Sequence, residues 1–288
     1  DTSSEALAVS MGEKARVDMD YMCELTGKTE EEIFADLKGV VFLNPMYGYG
    51  NSTQAKYLMA DEYLSGNVRE KLVLARKSAE LYPEDYTVNV EALERVQPKD
   101  LTASEIAVRL GATWLPTEIV EQFMFEFLGT PRYAQWNIKV HFSAYTGEWN
   151  IEGKSYDRSN VKAYSTYGTG RINAYKIIEE TLNLKDVRIF DYVEDADGKK
   201  KAILNKKETA IAQAKQELIK QGFQDWVWSD PERRERLCRL YNDKFNSLRP
   251  REYDGSHIVF SGMNPEIELR EHQRNAVAHI LYGGNTLL

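Results

Sequence analysis

The first 64 residues carry helix caps and turn signals in an order that few small folds share. Three short helices are predicted by side chains that can cap a helix start. The cap candidates are Ser3 or Ser4 for the first helix, Asp18 or Asp20 for the second, and the Thr29–Glu32 capping box for the third. Two short apolar strands follow, at Val40–Leu43 and Lys56–Met59, on either side of a loop rich in Gly and Tyr. Three helices followed by a hairpin predict a winged-helix-like unit over residues 1–64.

The third predicted helix has the wrong charge for the usual task of such a unit, which is to enter the major groove of DNA. Its acids outnumber its bases: Glu30, Glu31, Glu32 and Asp36 stand against Lys28 and Lys38. Because duplex DNA is a dense line of negative charge, it should repel this helix. The charge pattern therefore favours a structural or protein-contact role over groove binding.

A second winged-helix-like unit is predicted over residues 101–153, after a helical linker at 65–100. The linker pattern predicts helices at Tyr63–Tyr82 and Val88–Val96. In the second unit, helices are expected at 102–110 and 116–129, and strands at 137–142 and 148–152. The longer helix again carries acids (Glu118, Glu121 and Glu126), so groove insertion is not expected there either.

Residues 154–265 form a mixed region of hairpin and long helices, and its first part mixes cations with tyrosines. Backbone-tracking cations with rings on which bases stack are typical of single-strand nucleic-acid binding. The candidates are Lys154, Tyr156, Arg158, Lys162, Tyr164, Tyr167 and Arg171. The alternative is a Tyr-rich loop that packs on the second unit, and the pattern does not separate the two.

A basic stretch follows, within an acidic chain whose net charge is −8. From Lys199 to Arg251 there are fourteen Lys or Arg against seven Asp or Glu, a local charge of +7. Strands are predicted at 187–193 and 201–204 around an Asp197–Gly198 turn, and helices at 208–228 and 232–248. Four arginines on the last helix are candidates for phosphate contacts: Arg233, Arg234, Arg236 and Arg239. The alternative is a solvated helix face.

Several classes of site find no support in the sequence. The four histidines lack ligand-spaced partners, so no metal site is predicted. Cys23 and Cys238 are isolated, which is typical of reduced thiols in a cytoplasmic protein. No apolar run is long enough to span a membrane. Asn44–Tyr47 is similar to the catalytic loop of adenine methyltransferases, but without a preceding Gly-rich loop we interpret it as a turn.

Four stretches resemble one family: Glu5–Ile33, Met59–Leu72, Asn89–Pro116 and Leu269–Leu288. They are similar to the large helicase–methyltransferase proteins of phages and conjugative elements, including the antirestriction type. These resemble an N6-adenine DNA methylase fused to a Swi/Snf-type superfamily 2 helicase. The likeness covers essentially the whole chain and implies the connector between the two enzymes. Since Asp1 is not an initiator residue, we expect an excised segment of a larger protein.

The resemblance implies that residues 266–288 start a truncated motor core: an amphipathic helix, a Gly283–Gly284–Asn285 end and the strand Thr286–Leu288. Gln273 matches the adenine-reading glutamine of such motors, flanked by Arg270 and His272. ATP and Mg²⁺ would serve the motor and S-adenosylmethionine the methylase, and this segment would need no cofactor. The expected partners are DNA and the adjoining methyltransferase and helicase domains of the same chain.

We therefore expect an α+β, predominantly helical protein with two winged-helix-like units and a helical and hairpin C-terminal region. Its expected function is that of a non-catalytic connector that binds and positions DNA. The alternative is a protein-interaction scaffold that docks methyltransferase and motor without touching nucleic acid.

Overall fold

The computed structural model describes residues 2–48, 53–194, 199–256, 258–260, 262–264 and 266–283. The chain divides into two compact units, residues 1–99 with 243–288 and residues 100–242. Helices dominate, and the strands described form two-stranded antiparallel sheets. The α+β, predominantly helical class is thus confirmed. The finer division at residues 64, 100, 153 and 265 stays a prediction.

The N-terminal winged helix has the predicted order of elements. Its helices and strands are α1 Ser3–Lys14, α2 Met19–Thr26, α3 Glu30–Asp36, β1 Val41–Leu43 and β2 Tyr57–Met59. Asp18 and Thr29 cap α2 and α3 as predicted, while Thr2 rather than Ser3 or Ser4 caps α1. The strands pair antiparallel, with Val41 opposite Met59. Seven buried side chains close this core: Ala6, Leu7, Met19, Met22, Ile33, Leu37 and Val41.

The predicted single helix from Tyr63 to Tyr82 is wrong, because the chain turns at Gly66. This glycine has φ +72°, a left-handed conformation that interrupts a helix. The segment instead forms α4 Ala60–Tyr63, β3 Gly66–Asn67 and α5 Val68–Leu81. Helix α6 runs over Pro83–Arg95 and starts earlier than predicted, since Pro83 occupies its first turn.

The predicted helix at 102–110 is also wrong, and the residues there run in turns and extended segments. Ile106, Val108 and Leu110 are buried while their neighbours Ala107 and Arg109 are exposed. Alternate burial is the period of an extended chain and not of a helix. The second unit therefore keeps the long helix and the hairpin of the winged-helix order but lacks this first helix.

The rest of unit 2 is built on one core. Its elements are α7 Thr117–Leu128, α8 Arg132–Gln135, β4 Lys139–Ser143, β5 Glu148–Glu152, α9 Ala174–Leu182, β6 Phe190–Glu194, β7 Lys200–Leu204, α10 Lys206–Val227 and α11 Pro231–Phe245. Phe123 of α7 meets Phe223 of α10 edge to face, with ring centroids 5.2 Å apart. The Asp197–Gly198 turn lies outside the described residues.

The last segment returns to unit 1. Strand β8 Leu248–Arg249 pairs antiparallel with β3, with Gly66 opposite Arg249. Helix α12 runs over Glu271–Gly283. Residues 258–260 are not part of a strand, and His257 lies outside the described residues, as do residues 284–288. In the described part of the chain, no helix combines the length and the apolar character needed to cross a bilayer.

Candidate nucleic-acid interface

The segment after β5 is fastened to unit 2 by buried polar side chains. Asp157 is fully buried, and its Oδ2 accepts hydrogen bonds from Tyr175 Oη at 2.7 Å and Asn160 Nδ2 at 2.6 Å. Asn160 also donates to the carbonyl oxygen of Leu128 at 3.0 Å. Burial, together with the bond to Asp157, raises the pKa of Tyr175 above its usual range. These bonds anchor the inner side of the segment, and its exposed side chains form its outer side.

Three of the predicted contact residues lie on this outer side. Tyr156 is 60% exposed, and Arg158 and Lys162 are exposed. In the described part of the chain, neither cation has an ion-pair partner within 4 Å. Their charges are therefore available to a ligand.

The other predicted cations of this stretch serve the fold. Lys154 Nζ donates to Glu179 Oε2 at 2.6 Å, and Arg171 Nη1 donates to Asp191 Oδ1 at 2.8 Å. Burial alone would raise the pKa of Glu179, but hydrogen bonds from Lys154, Lys176 and the Ile151 amide lower it overall. The glutamate therefore stays charged against the two lysines.

The tyrosines of the stretch divide in the same way. Tyr164 accepts a hydrogen bond from Asn173 Nδ2 at 3.3 Å, and Tyr167 packs on Phe127 with ring centroids 4.3 Å apart. Both rings are half-buried, so they offer less surface to a base than Tyr156 does. The packing interpretation thus holds for Tyr164 and Tyr167. For Tyr156, Arg158 and Lys162, contact with nucleic acid stays a prediction.

The candidate arginines of α11 divide by helical phase. Arg233 is buried: its guanidinium lies 3.6 Å from the Trp226 ring centroid and donates to the carbonyl oxygens of Trp226 and Val227. It is not available to a phosphate in this arrangement. Arg234 and Arg236 are exposed, and Arg239 is exposed but paired with Glu235 at 3.2 Å.

Three further exposed residues lie beside the segment of Tyr156 and Arg158, and the sequence pattern did not predict them: Arg132, Tyr133 and Trp136. They lie on α8 and at its end, and Tyr133 Oη lies 3.5 Å from Ser159 Oγ. The signal was present as two large aromatic residues three apart, next to an arginine. A helix of only four residues gives no periodic pattern to reveal it.

Two acids of the third helix of the winged helix, Glu30 and Asp36, make contacts inside the unit. Glu30 Oε1 accepts from Lys56 Nζ and Tyr57 Oη, both at 2.6 Å, and Asp36 accepts from Lys28 at 2.6 Å. The bonds from Lys56 and Tyr57 lower the pKa of Glu30, and burial with the bond to Glu30 raises the pKa of Tyr57 to about 12. Asn44 is a buried turn residue whose amide donates to Gln54 Oε1 and the Ala55 carbonyl. Its side chain is thus engaged in the turn.

The predicted adenine-reading residues lie at the start of α12. Gln273 Oε1 accepts from the Arg270 backbone amide at 2.9 Å, so the glutamine caps its own helix. His272 lines a cleft of about 870 Å³ together with Asp61, Arg249 and His279, whereas Gln273 and Arg270 do not line it. All three predicted residues are exposed, and their role with a nucleotide stays a prediction.

Two family models match parts of this chain. Residues 1–51 match the family described as "Probable helicase, winged helix domain", which confirms the winged-helix prediction for the N-terminus and indicates a helicase-associated region. Residues 109–247 match a "Domain of unknown function (DUF8437)". This match includes the candidate residues at 154–171 and the candidate arginines at 233–239. No curated protein and no solved structure matches the chain.

Proposed function

We propose that this chain is a non-catalytic region of a DNA helicase that binds and positions DNA. The observation that carries the proposal is the set of exposed cations in unit 2, found in a chain whose N-terminus matches a helicase winged-helix family. The main members are Arg158 and Lys162 after β5, and Arg234 and Arg236 on α11. Exposed, unpaired cations of this kind bind phosphates and release counterions.

The proposal assigns the DNA contacts to unit 2 and not to the groove-entering helix of the winged helix. Helix α3 carries Glu30, Glu31 and Glu32 in its first turn. Bringing three carboxylates to a phosphate backbone is electrostatically unfavourable. In this proposal the winged helix serves as a docking element for another part of the helicase.

The proposed parent is a Swi/Snf-type superfamily 2 helicase fused to an N6-adenine DNA methylase. Its ATP, Mg²⁺ and S-adenosylmethionine would bind to the adjoining motor and methylase domains. Gln273, with Arg270 and His272 beside it, would be the contact of this chain with adenine. In the described part of the chain, the Nε2 of Gln273 makes no hydrogen bond, so it can donate to an adenine ring nitrogen while the Oε1 stays in the helix cap.

A second candidate function is a scaffold that docks the methyltransferase on the motor without nucleic-acid contact. The acidic face of the winged helix favours it, since Glu31 is exposed and has no ion-pair partner within 4 Å in the described part of the chain. The two candidates differ in whether unit 2 touches DNA.

Fluorescence anisotropy with labelled duplex and single-stranded DNA separates these functions. The wild-type chain should bind at about 50 mM salt and weaken at least tenfold by about 200 mM, as counterion release requires. The double charge reversals Arg158→Glu with Lys162→Glu, and Arg234→Glu with Arg236→Glu, should each weaken binding at least tenfold at low salt.

The matched control is Arg76→Glu with Lys77→Glu on α5, which reverses two exposed cations of unit 1. It should leave DNA affinity within about twofold of wild type. The two cations lie outside the proposed contact surface, so the variant changes the net charge of the chain without removing a phosphate contact. Absence of binding at low salt, or an equal loss in the control, would favour the scaffold.

A further inference from the structure

Three large aromatic side chains stand in solvent on one side of unit 2. Trp136 is 81% exposed, Tyr133 61% and Tyr156 60%. In the described part of the chain, none of these rings stacks on another aromatic ring. Clustered apolar surface of this kind is uncommon on a protein face without a binding role.

Close contacts hold the three residues in one neighbourhood. Gly153 lies so close to the backbone of Asn137 that a Cβ atom there would be 2.1 Å from the Asn137 carbonyl oxygen. The same point is 3.1 Å from Cδ2 of Tyr156, so the Tyr156 ring lies beside the residue that follows Trp136. The Tyr133 hydroxyl lies 3.5 Å from Ser159 Oγ, which joins α8 to the segment after β5.

The backbone segments that carry these rings are held in place by buried side chains and hydrogen bonds. On one side, Ala134 and Ile138 are fully buried, and Gln135 Nε2 donates to the Thr130 carbonyl at 2.7 Å. On the other side, Asp157 and Asn160 hold the segment through the bonds described above. A ligand would therefore meet preorganised rings and would not have to order a loop.

The exposed charges on the two segments that carry the rings, residues 129–138 and 153–162, are positive. Arg132, Arg158 and Lys162 are exposed and have no ion-pair partner within 4 Å among the described residues. Residues 129–138 contain no acid, and the acid of residues 153–162 is Asp157, which is buried. The ligand should therefore combine negative charge with flat apolar groups.

We propose that Tyr133, Trp136 and Tyr156 form a stacking platform for the unpaired bases of single-stranded DNA. Arg132, Arg158 and Lys162 would hold its phosphates. This inference rests on the proposed function and adds which form of DNA the surface selects. Exposed bases can stack on aromatic side chains, whereas the bases of a duplex are already stacked on each other.

The test compares Trp136→Ala with Tyr145→Ala in the full chain, using single-stranded and duplex DNA of the same mixed sequence. Tyr145 is 99% exposed at the turn between β4 and β5, so it is a matched aromatic control. Trp136→Ala should weaken single-strand binding by about tenfold. It should leave duplex binding within twofold, and Tyr145→Ala should leave both unchanged.

Tryptophan fluorescence gives a second readout. Trp136 is exposed, while Trp149 is buried and Trp114, Trp226 and Trp228 are partly buried. Single-stranded DNA should quench the wild-type emission, and Trp136→Phe should keep affinity while losing that quenching. Because Trp136 packs on so little, circular dichroism should show both variants folded.

The outcomes separate this inference from the function beneath it. If the wild-type chain binds neither form of DNA at low salt, the proposed function fails and the platform fails with it. If DNA binds but Trp136→Ala binds both forms like wild type, only the platform is overturned. Loss of duplex and single-strand binding to the same extent would also overturn it.

Discussion

The winged helix and the outer face of unit 2 use charge in opposite ways. Residues 1–51 carry four Lys or Arg against ten Asp or Glu, a net charge of −6. Lys28, within this range, is bound to Asp36, and Lys56, on the second strand of the winged helix, is bound to Glu30. On unit 2, Arg158 and Lys162 lie in a segment whose acid is buried. The part that matches a helicase winged-helix family is thus the part whose charge is most acidic.

The comparison teaches that a fold and its usual ligand can be separated. The usual contact of a winged helix with DNA places its third helix against phosphates, and the three carboxylates in the first turn of α3 oppose that contact. Function has to be read from the side chains of the site and not from the fold that carries them. The following variants test that contrast.

The largest expected effect is the loss of stability on neutralising the buried Glu179 of unit 2. Glu179→Gln removes the charge that holds Lys154 and Lys176, and Glu179 itself has a side chain only 8% exposed. Unit 2 should lose about 3 kcal/mol of stability, because the partly buried Lys154 would lose its ion-pair partner. Urea denaturation followed by circular dichroism measures this loss.

The matched variant for that experiment is Glu30→Gln in the winged helix. In its pair with Lys56, the two side chains are 41% (Lys56) and 35% (Glu30) exposed, and such pairs contribute about 1 kcal/mol or less. Equal losses in both variants would show that the two ion pairs are equally important.

Asp157→Ala should come next, with a loss of about 2 kcal/mol. It leaves Tyr175 and Asn160 each short of one hydrogen bond inside the protein. The segment that carries Tyr156 and Arg158 should loosen, so single-strand affinity should fall in parallel. Exposed Asp186→Ala is the control, and stability measured by urea titration should hardly change in it. Wild-type DNA affinity in Asp157→Ala would show that the anchor does not position the surface.

Acid should destabilise both units through lowered carboxylate pKa values. Glu30 and Glu179 have folded pKa values below their ordinary 4.5, so both contribute stability at neutral pH. That stability is lost as pH falls below about 4.5 and through the folded pKa. Thermal melts from pH 6 to pH 3 on the two glutamine variants should show a flatter pH dependence of stability than wild type. In each variant, the proton uptake linked to unfolding should fall by the contribution of about one carboxylate. An unchanged profile would contradict the cause given for the shift.

The smallest expected effect comes from the acidic helix. Glu31→Gln removes one exposed carboxylate from α3 and should change DNA affinity less than twofold, because α3 lies outside the proposed contact surface. Anisotropy at low salt measures it. A clear gain in affinity would place α3 near the DNA and remove the contrast between the two regions.

Local signals in the sequence were sufficient for the winged helix. Asp18 and Thr29 cap their helices through bonds within three residues, so the pattern and the structure share one cause. The same kind of signal failed at Thr102 and Glu105. Glu105 accepts a hydrogen bond from the Thr102 amide, which is half of a capping box, but the following chain is extended and buries Ile106 and Val108.

The candidate site was harder to predict because exposure depends on neighbours distant in sequence. Arg233 lies four residues before the buried Leu237, so its helical phase could have indicated that it points inward. No local pattern joins the segment of Trp136 to that of Tyr156, and the close approach of Gly153 to Asn137 places the two segments side by side. The charge run was visible in the sequence, and the division between bonded and unbonded cations was not.

The pairing of β3 with β8 has a consequence for how the chain becomes structured during synthesis. Residues 66 and 249 are partners in that ladder, and a complete compact unit lies between them in the sequence. All of unit 2 is synthesised after β3 and Arg69 but before their partners at 246–249, so these contacts can form only after unit 2 is complete. Because distant contacts form slowly, the closing of unit 1 should be the late step of folding. The winged helix, whose contacts are local, can fold long before it.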